Sequence, residues 1–332
     1  VSTQSTGEVN SKLLENLNDT KCLTAFLNYY NIEIQPSTIL NMQKTEVIDD
    51  VLIIAEDTVK DSQYRNLEHK YVIGMNLKYI QAYGFNSGKS LDAVFFPQLI
   101  NIDYQCFTHS SIKFMFAPRV RNLGMITFYK SQLEEVLPLL VTSENQQLFD
   151  ECENLEYFYS ATTETANSWA FSESSLKVAY LPNLQVMSAD LDNPPFQKTA
   201  QLETLYVPHQ VKCANLKCKT DEMDCFVCKG DFSKVKSERM SFGQFAKKHQ
   251  CYQTTIEILK KAGQLKLINW ITDPRGAEAA VVQNKMDSVL EEVVRGSKVV
   301  FKLNNLLMWL GKLEQGFKEM VDELFELEFG GE

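Results

Sequence analysis

The sequence predicts an α+β protein with a helical N-terminal region, a mixed or antiparallel sheet domain, a small four-cysteine zinc loop and a helical C-terminal hairpin. Three observations support this fold class: apolar residues at helical spacing near both ends, short β-branched and aromatic runs between them, and four cysteines within 16 residues. No internal repeat is evident. We therefore expect residues 1–85 to be helical, 86–208 to contain the sheet, 209–251 to bind zinc and 252–332 to be helical.

Three helices are expected in the first 85 residues. The first begins with Asp19 or Thr20 as its cap and ends near Tyr30. The second covers residues 46–60 and the third residues 63–83. In each segment apolar residues recur at intervals of three or four, which is typical of one buried helix face.

The turn cluster Gly84–Gly88 separates these helices from a region with the composition of strands. Between these strands we expect one short helix at 132–137, which Ser131 caps and Pro138 ends. Regular helical spacers are missing, so the pattern favours a mixed or antiparallel sheet over a doubly wound one. The predicted strands are 91–96, 112–117, 125–129, 176–180, 185–187 and 202–207.

The C-terminal region predicts a helix at 252–262, which Gly263 ends, followed by an antiparallel hairpin of helices at 279–293 and 303–327. The last helix carries an unbroken heptad-like seam, the pattern of a coiled coil. This seam either packs against the rest of the chain or binds a partner helix or a second copy. It contains Leu303, Leu306, Leu310, Leu313, Phe317, Met320, Leu324 and Leu327.

Half of the eight cysteines lie in one short segment with the spacing Cys-x4-Cys-x6-Cys-x2-Cys. Thiolates are the usual ligands of structural zinc, and a Cys-x2-Cys pair presents two of them from one turn. We therefore predict one structural Zn²⁺ per chain, with an iron–sulfur cluster or metal-free cysteines as the alternatives. His209, His249 and Cys251 are close enough in sequence to replace a ligand. The predicted ligands are Cys213, Cys218, Cys225 and Cys228.

The net charge of −10 is unevenly distributed, because residues 207–266 carry eleven Lys and one Arg against six acids. This segment has a net charge of +6, which leaves −16 on the remainder (−10 − 6). Such a basic segment predicts contact with nucleic acid or with an acidic partner. The candidate contacts are Lys217, Lys219, Lys229, Lys234, Lys236, Arg239, Lys247 and Lys248.

Two motifs resemble catalytic sites without fulfilling their requirements. The segment Gly84–Ser90 has one residue too few between its glycines for a phosphate-binding loop, and a strand rather than a helix should follow it. Cys106 and His109 are so close in sequence that a turn explains them better than a nucleophile and base. Both segments are therefore predicted to be turns.

These observations favour a non-enzymatic, zinc-stabilised interaction or scaffold subunit with a protein partner, or a homodimer, formed through the C-terminal helices. The alternatives are a nucleic-acid-binding protein that uses the basic zinc module, and a transferase-type enzyme with a structural zinc. No apolar run has the length of a membrane span, and Val1–Asn10 carries no signal-peptide pattern. A large chain with few cysteines is unlike a disulfide-stabilised secreted protein, so we expect a cytoplasmic or nuclear location.

Overall fold

The structure is a computed structural model, and all the residues that it describes belong to one compact unit, Val1–Pro274. No helix in this described part of the chain is long and apolar enough to cross a membrane. The described residues are 12–137, 139–141, 143–187, 193–208, 211–213 and 234–272.

The centre of the protein is a β-solenoid, in which the chain repeats one path about every 21 residues. Tyr71, for example, pairs with Ala93 in the next coil, which lies 22 residues later. Each complete coil contributes a strand to the first sheet, a strand of two residues to a second sheet, and then a turn. Six-residue turns occupy 61–66, 82–87, 104–109 and 125–130.

The first sheet runs along one side of the solenoid, which we call the long-strand face, and all its strand pairs are parallel except β1 with β2. Its six strands are β1 (Glu46–Ile48), β2 (Val51–Ile53), β4 (Tyr71–Ile73), β6 (Ala93–Phe95), β8 (Phe114–Phe116) and β10 (Glu135–Val136). Four strands continue this position in later coils: β12 (Tyr157–Tyr159), β14 (Val178–Tyr180), β16 (Thr204–Tyr206) and β18 (Val235–Lys236).

The second side, the short-strand face, consists of two parallel four-stranded sheets in consecutive coils. The first contains β3 (Thr58–Val59), β5 (Tyr79–Ile80), β7 (Asn101–Ile102) and β9 (Asn122–Leu123). The second contains β11 (Ser143–Glu144), β13 (Thr165–Ala166), β15 (Val186–Met187) and β17 (Lys212–Cys213).

A stack of aromatic rings runs through the core beneath the turns. Neighbouring centroids lie 5.2 to 5.5 Å apart, and the planes are inclined by only 1 to 16°. The six phenylalanines of the stack are completely buried. Offset stacking and burial together stabilise the contact between successive coils. The stack contains Tyr64, Phe85, Phe107, Phe128, Phe149, Phe171 and Phe196.

The backbone also links successive turns. Phe107 N donates to Thr127 O at 2.8 Å, and Phe128 N donates to Leu148 O at 3.0 Å. The same bond recurs in other coils, so backbone groups that would otherwise be unpaired beside the core are satisfied.

Helices flank the solenoid in sequence on both sides. They are α1 (Asp19–Tyr29), α2 (Pro36–Leu40), α3 (Phe242–His249), α4 (Gln253–Lys261) and α5 (Leu265–Thr272). Asn18 caps α1 by accepting a hydrogen bond from Lys21 N at 2.9 Å. Gly263, with φ of 67°, follows α4 and ends it where the sequence predicted.

The predicted α+β fold class is wrong, because the described residues form a predominantly parallel β-solenoid with few helices. The expected helix at 46–60 forms β1, β2 and β3, and the expected helix at 63–83 contains β4 and β5. Apolar residues spaced by four do not share a face there: Leu67 is buried in the core, whereas Tyr79 is 44% exposed on β5. The expectation that the chain has no internal repeat is wrong for the same reason, since the coils run unbroken across residue 85.

Other elements were predicted with mixed success. Strands occur within 91–96, 112–117, 176–180, 185–187 and 202–207, as expected. The expected strand at 125–129 is a turn, and the expected helix at 132–137 contains β10. The coiled-coil prediction has no support, because the seam from Leu303 to Leu327 lies outside the described residues and the described architecture is a solenoid.

Candidate partner-binding surfaces

The outer side of the long-strand face is covered by helices. At the N-terminal end, the Phe26 ring of α1 lies 5.2 Å from that of Phe95 and 6.3 Å from that of Phe114. Tyr30, directly after α1, contacts Tyr71 with a centroid distance of 5.2 Å. Arg119 fixes α1 to the coil turn, because its guanidinium lies 2.9 Å from the Asp19 carboxylate. The outer side of β4, β6 and β8 is therefore covered.

The C-terminal helices cover the later strands in the same way. Rings of Phe242 and Phe245 in α3 pack edge-on against Tyr159 at 5.4 and 5.2 Å. The Tyr159 hydroxyl donates to Met240 O at 3.1 Å, and the Tyr180 hydroxyl accepts from Met240 N at 2.7 Å. Tyr159 and Tyr180 are buried, although each stands on the outer side of a strand.

Glu135 joins the sheet to α4 at the middle of this face. Its carboxylate accepts hydrogen bonds from Thr254 N at 3.1 Å, from Thr255 N at 3.0 Å and from the Thr255 hydroxyl at 2.9 Å. It therefore caps a helix that lies about 120 residues later in the sequence. Burial raises the pKa of Glu135, and these hydrogen bonds act in the opposite direction. The two helix groups also meet, since the hydroxyls of Tyr29 and Thr254 are 3.1 Å apart.

The turns carry a group of side chains that we call the turn ridge: Arg65 and Met125, which are exposed, and Tyr83 and Tyr104, which are partly exposed. The Arg65 guanidinium lies over the Tyr83 ring at 5.9 Å, and the rings of Tyr83 and Tyr104 meet edge to face at 5.5 Å. Met125 is 41% exposed. The ridge follows consecutive turns, since Tyr83 N donates to Tyr104 O at 2.9 Å and Gln105 N donates to Met125 O at 3.1 Å. Tyrosine, methionine and arginine are the residue types enriched at protein interfaces.

The neighbouring short-strand face is mostly polar on its outer side. Its most exposed apolar residue is Tyr79 on β5, four residues before Tyr83 in sequence. In the other coils this position is occupied by Thr58, Asn101, Asn122, Thr165 and Val186. Tyr79 is therefore an exposed aromatic residue on a mostly polar face.

Comparison with protein families agrees with this coil-by-coil architecture. Residues 57–177 and 101–218 match the model of the BspA type leucine rich repeat region, in six copies. The matched span, 57–218, includes β3 to β17 and is just under half of the 332-residue chain. This span resembles a BspA-type leucine-rich repeat region. No curated protein matches the sequence.

Solved structures of leucine-rich repeat proteins resemble the chain weakly. The T. pallidum leucine-rich repeat protein is 17% identical and has a TM-score of 0.41, over 58% of this chain and 94% of that one. A leucine-rich cell surface protein from Faecalibacterium prausnitzii is 13% identical, with a TM-score of 0.33, over 50% of this chain and 46% of that one. The chain thus spans less than half of that cell surface protein. Since both TM-scores lie below 0.5, neither likeness supports an inference here.

Five of the eight predicted basic contacts lie among the described residues, and three of them lie in or just before α3. Lys248 and Lys236 place their ammonium groups 5.4 and 6.0 Å from the centre of the buried Tyr206 ring. Lys248 also pairs with Glu238 at 2.6 Å. Arg239 and Lys247 are exposed, and Lys234 is partly buried. Lys217, Lys219 and Lys229 lie outside the described residues, and no finding supports nucleic-acid binding.

His249 lies beside these cations. Its Nε2 is 3.4 Å from the Tyr206 hydroxyl, and its ring packs on Phe245 with a centroid distance of 4.8 Å. The pKa of His249 is lowered, first by burial and then by the charges of Lys248 and Lys236. This lowered pKa agrees with a positive local potential.

The predicted zinc site is wrong on the described residues. No group of three or more His, Cys, Asp or Glu side chains in this part of the chain could hold a metal ion. Cys213 belongs to β17, whose backbone pairs with Met187 of β15, so it continues the sheet instead of opening a separate zinc loop. The other predicted ligands, Cys218, Cys225 and Cys228, lie outside the described residues, as does His209. No cofactor is assigned.

The two motifs that resemble catalytic sites are repeat turns. Gly84–Ser90 forms the end of one turn and leads to β6, so no helix N-terminus faces a phosphate there. Cys106 is completely buried, and burial raises its pKa to about 12, whereas His109 is exposed on the turn. A thiol with that pKa is protonated at neutral pH and is a poor nucleophile.

The turn ridge was missed because its members look unremarkable in sequence. The aromatic stack offers the signal that could have revealed it, because its residues recur at steps of 21 or 22 with one step of 25. Once this period is known, Tyr83, Tyr104 and Met125 fall in the same part of three successive turns.

Proposed function

We propose that this protein is a non-enzymatic interaction subunit that binds a protein partner through its turn ridge. Solenoid proteins usually bind through an extended face of their stacked repeats. Here the outer side of the long-strand face is covered by α1 and α3, which leaves the turns and the short-strand face. The observation that carries the proposal is the cluster on this remaining side of exposed Arg65 and Met125 with partly exposed Tyr83 and Tyr104.

The residue types of the ridge support a protein as the ligand. Aromatic and arginine side chains contribute most of the binding energy in interfaces, because they bury large areas with few rotatable bonds. Arg65 and Tyr104 already hold Tyr83 in one orientation, so less conformational entropy is lost on binding. An interaction or scaffold role therefore agrees with both the repeat family and the surface.

Site-specific photo-cross-linking in the source cells tests this proposal. Benzoylphenylalanine in place of Met125 should give one discrete adduct, and the double variant carrying Tyr83→Ala and Tyr104→Ala should reduce its yield about tenfold. The matched control places the same probe at Val47, which is 47% exposed on β1 and lies away from the turns. Equal adducts from both positions, or an unchanged yield in the double variant, would exclude the ridge as the binding surface.

Two finer expectations stay predictions. Homodimerisation through the C-terminal helices concerns Leu303 to Leu327, which lie outside the described residues. The intracellular location rests on cysteine usage, and the described thiols of Cys22, Cys106, Cys152 and Cys251 are buried and free, which supports a reducing compartment.

A further inference from the structure

A strongly positive surface lies where α3 packs on β16. The described stretch 234–272 contains eight Lys or Arg and two acids, a net charge of +6 in a chain of net charge −10. Its centre is a group that we call the cationic face: Lys236, Arg239, Lys247 and Lys248. All four side chains belong to exposed residues. We propose that this cationic face binds an acidic segment of a partner protein, at a site separate from the turn ridge.

Helix stabilisation accounts for only part of this charge. Lys247 and Lys248 lie in the last turn of α3, where cations interact favourably with the helix dipole. Lys236 lies on β18 and Arg239 lies between β18 and α3, so the dipole explains neither. Both lysines beside Tyr206 approach the same ring, and the carboxylate of Glu238 reaches Lys248 at 2.6 Å. Two carboxylates, Glu238 and Glu203, against four cations leave a positive surface that an anionic ligand would neutralise.

Carboxylates fit this surface better than a nucleic acid does. Single-stranded nucleic acids bind where exposed aromatic rings accompany the basic residues, because the bases stack on them. The aromatic ring that Lys236 and Lys248 cover, Tyr206, is buried. A long polyanion would also extend over the remainder of the chain, which carries a net charge of −16 (−10 − 6) and repels it. A short acidic peptide segment meets only the cationic face.

A binding titration of the full chain tests the proposal. The probe is a fluorescein-labelled peptide of glutamates, and its binding is measured by fluorescence anisotropy at low and at physiological salt. Labelled single-stranded poly-dT is titrated in the same way for comparison. The double variant Arg239→Glu, Lys247→Glu changes the two cations that do not cover Tyr206, so the packing of α3 is preserved. The matched control Lys44→Glu, Lys60→Glu alters the net charge equally at exposed positions near the N-terminal end of the solenoid. Thermal unfolding shows that all three proteins are folded.

The wild type should bind the glutamate peptide with an affinity that falls as salt rises. The affinity of the Arg239, Lys247 variant should fall by about tenfold or more, and that of the control by less than about twofold. Absence of peptide binding to the wild type, or equal losses in both variants, would overturn the proposal. Tighter binding of poly-dT than of the peptide would also overturn it and would indicate a nucleic-acid surface instead. None of these outcomes depends on the turn ridge, so the two proposals fail independently.

Discussion

Phe128 is the middle ring of the aromatic stack, and we expect Phe128→Ala to lower the free energy of unfolding by about 4 kcal/mol. The ring is completely buried and stacks on Phe107 at 5.5 Å and on Phe149 at 5.3 Å. Truncating a buried phenylalanine typically costs about 3 to 5 kcal/mol. Two stacked neighbours place Phe128 in the upper part of that range, since each aromatic pair contributes about 0.5 to 1.5 kcal/mol beyond its buried area.

Tyr64 provides the matched control, because it is the first ring of the same stack. It contacts one neighbour, Phe85 at 5.5 Å, and it is partly exposed. Tyr64→Ala should therefore cost about 2 kcal/mol, roughly half the loss at Phe128. Urea unfolding followed by circular dichroism, with linear extrapolation to water, measures both values. A loss at Phe128 that equals or falls below the loss at Tyr64 would show that the stack does not couple the coils.

The slope of the unfolding transition carries further information. In a repeat protein, stability is the sum of coil stabilities and the interfaces between neighbouring coils. Phe128→Ala weakens two such interfaces in the middle of the solenoid, so the transition should broaden, and the Tyr64 variant should retain the wild-type slope. A broadened transition in both variants would locate the weakest interface elsewhere.

Two further predictions concern carboxylates. Glu135→Ala should lower the free energy of unfolding by about 2 to 3 kcal/mol, because Thr254 and Thr255 lose the acceptor of three hydrogen bonds. Glu135→Gln retains an acceptor oxygen and should cost less. Urea unfolding measures both values. Burial raises the pKa of Asp150 to about 6. The folded protein therefore holds this proton more tightly than the unfolded chain, and the resulting stability is present below about pH 4 and is lost as the pH rises to about 6. Asp150→Asn should flatten this pH dependence and raise the free energy of unfolding at pH 7 by about 1 kcal/mol. This value is small because the carboxylate is partly solvated. Thermal melts from pH 4 to 7 check the pH dependence.

The strands of the solenoid explain why the sequence predicted helices in their place. A strand of two or three residues is too short to show the alternation of apolar and polar residues on which a strand prediction depends. Leu67, Tyr71 and Tyr79 are spaced like a helix face, but Leu67 follows the turn at 61–66, and the two tyrosines belong to different sheets. The strands at 91–96 and 112–117 were predicted because aromatic and β-branched residues are concentrated there.

The turns were also hidden from sequence rules. Tyr83, Ile126 and Trp169 adopt left-handed backbone conformations, with φ of 58, 61 and 54°. Glycine or asparagine is expected at such positions, because a side chain, above all a β-branched one, is strained there. The solenoid stabilises these conformations by hydrogen bonds from each turn to the next, such as Tyr83 N to Tyr104 O at 2.9 Å. Tertiary structure thus overrides the local preference, and a search for glycine-rich turns finds no period.

The basic residues of the candidate site were predictable as a charged segment, whereas their arrangement was not. Sequence analysis selected Lys236 and Lys248 because they fall in a positively charged stretch. Only the fold brings both lysines beside one buried ring, Tyr206, whereas Arg239 and Lys247 are exposed without covering it. For the cysteines, the clustering in sequence did not predict the local structure, because Cys213 continues a repeat strand.

The terminal helices change what the solenoid can do. An open sheet with Phe95, Phe114 and Tyr159 on its outer side would expose a large apolar surface, which favours aggregation unless a partner covers it. Here α1 and α3 cover these rings, so the sheet is buried on both sides at these strands. A partner would therefore have to bind another surface. The turn ridge and the cationic face are built on different elements, one from repeat turns and one from α3 and β18. On the two proposals above, the chain would act as a scaffold, since two independent surfaces would let it hold two different partners at once.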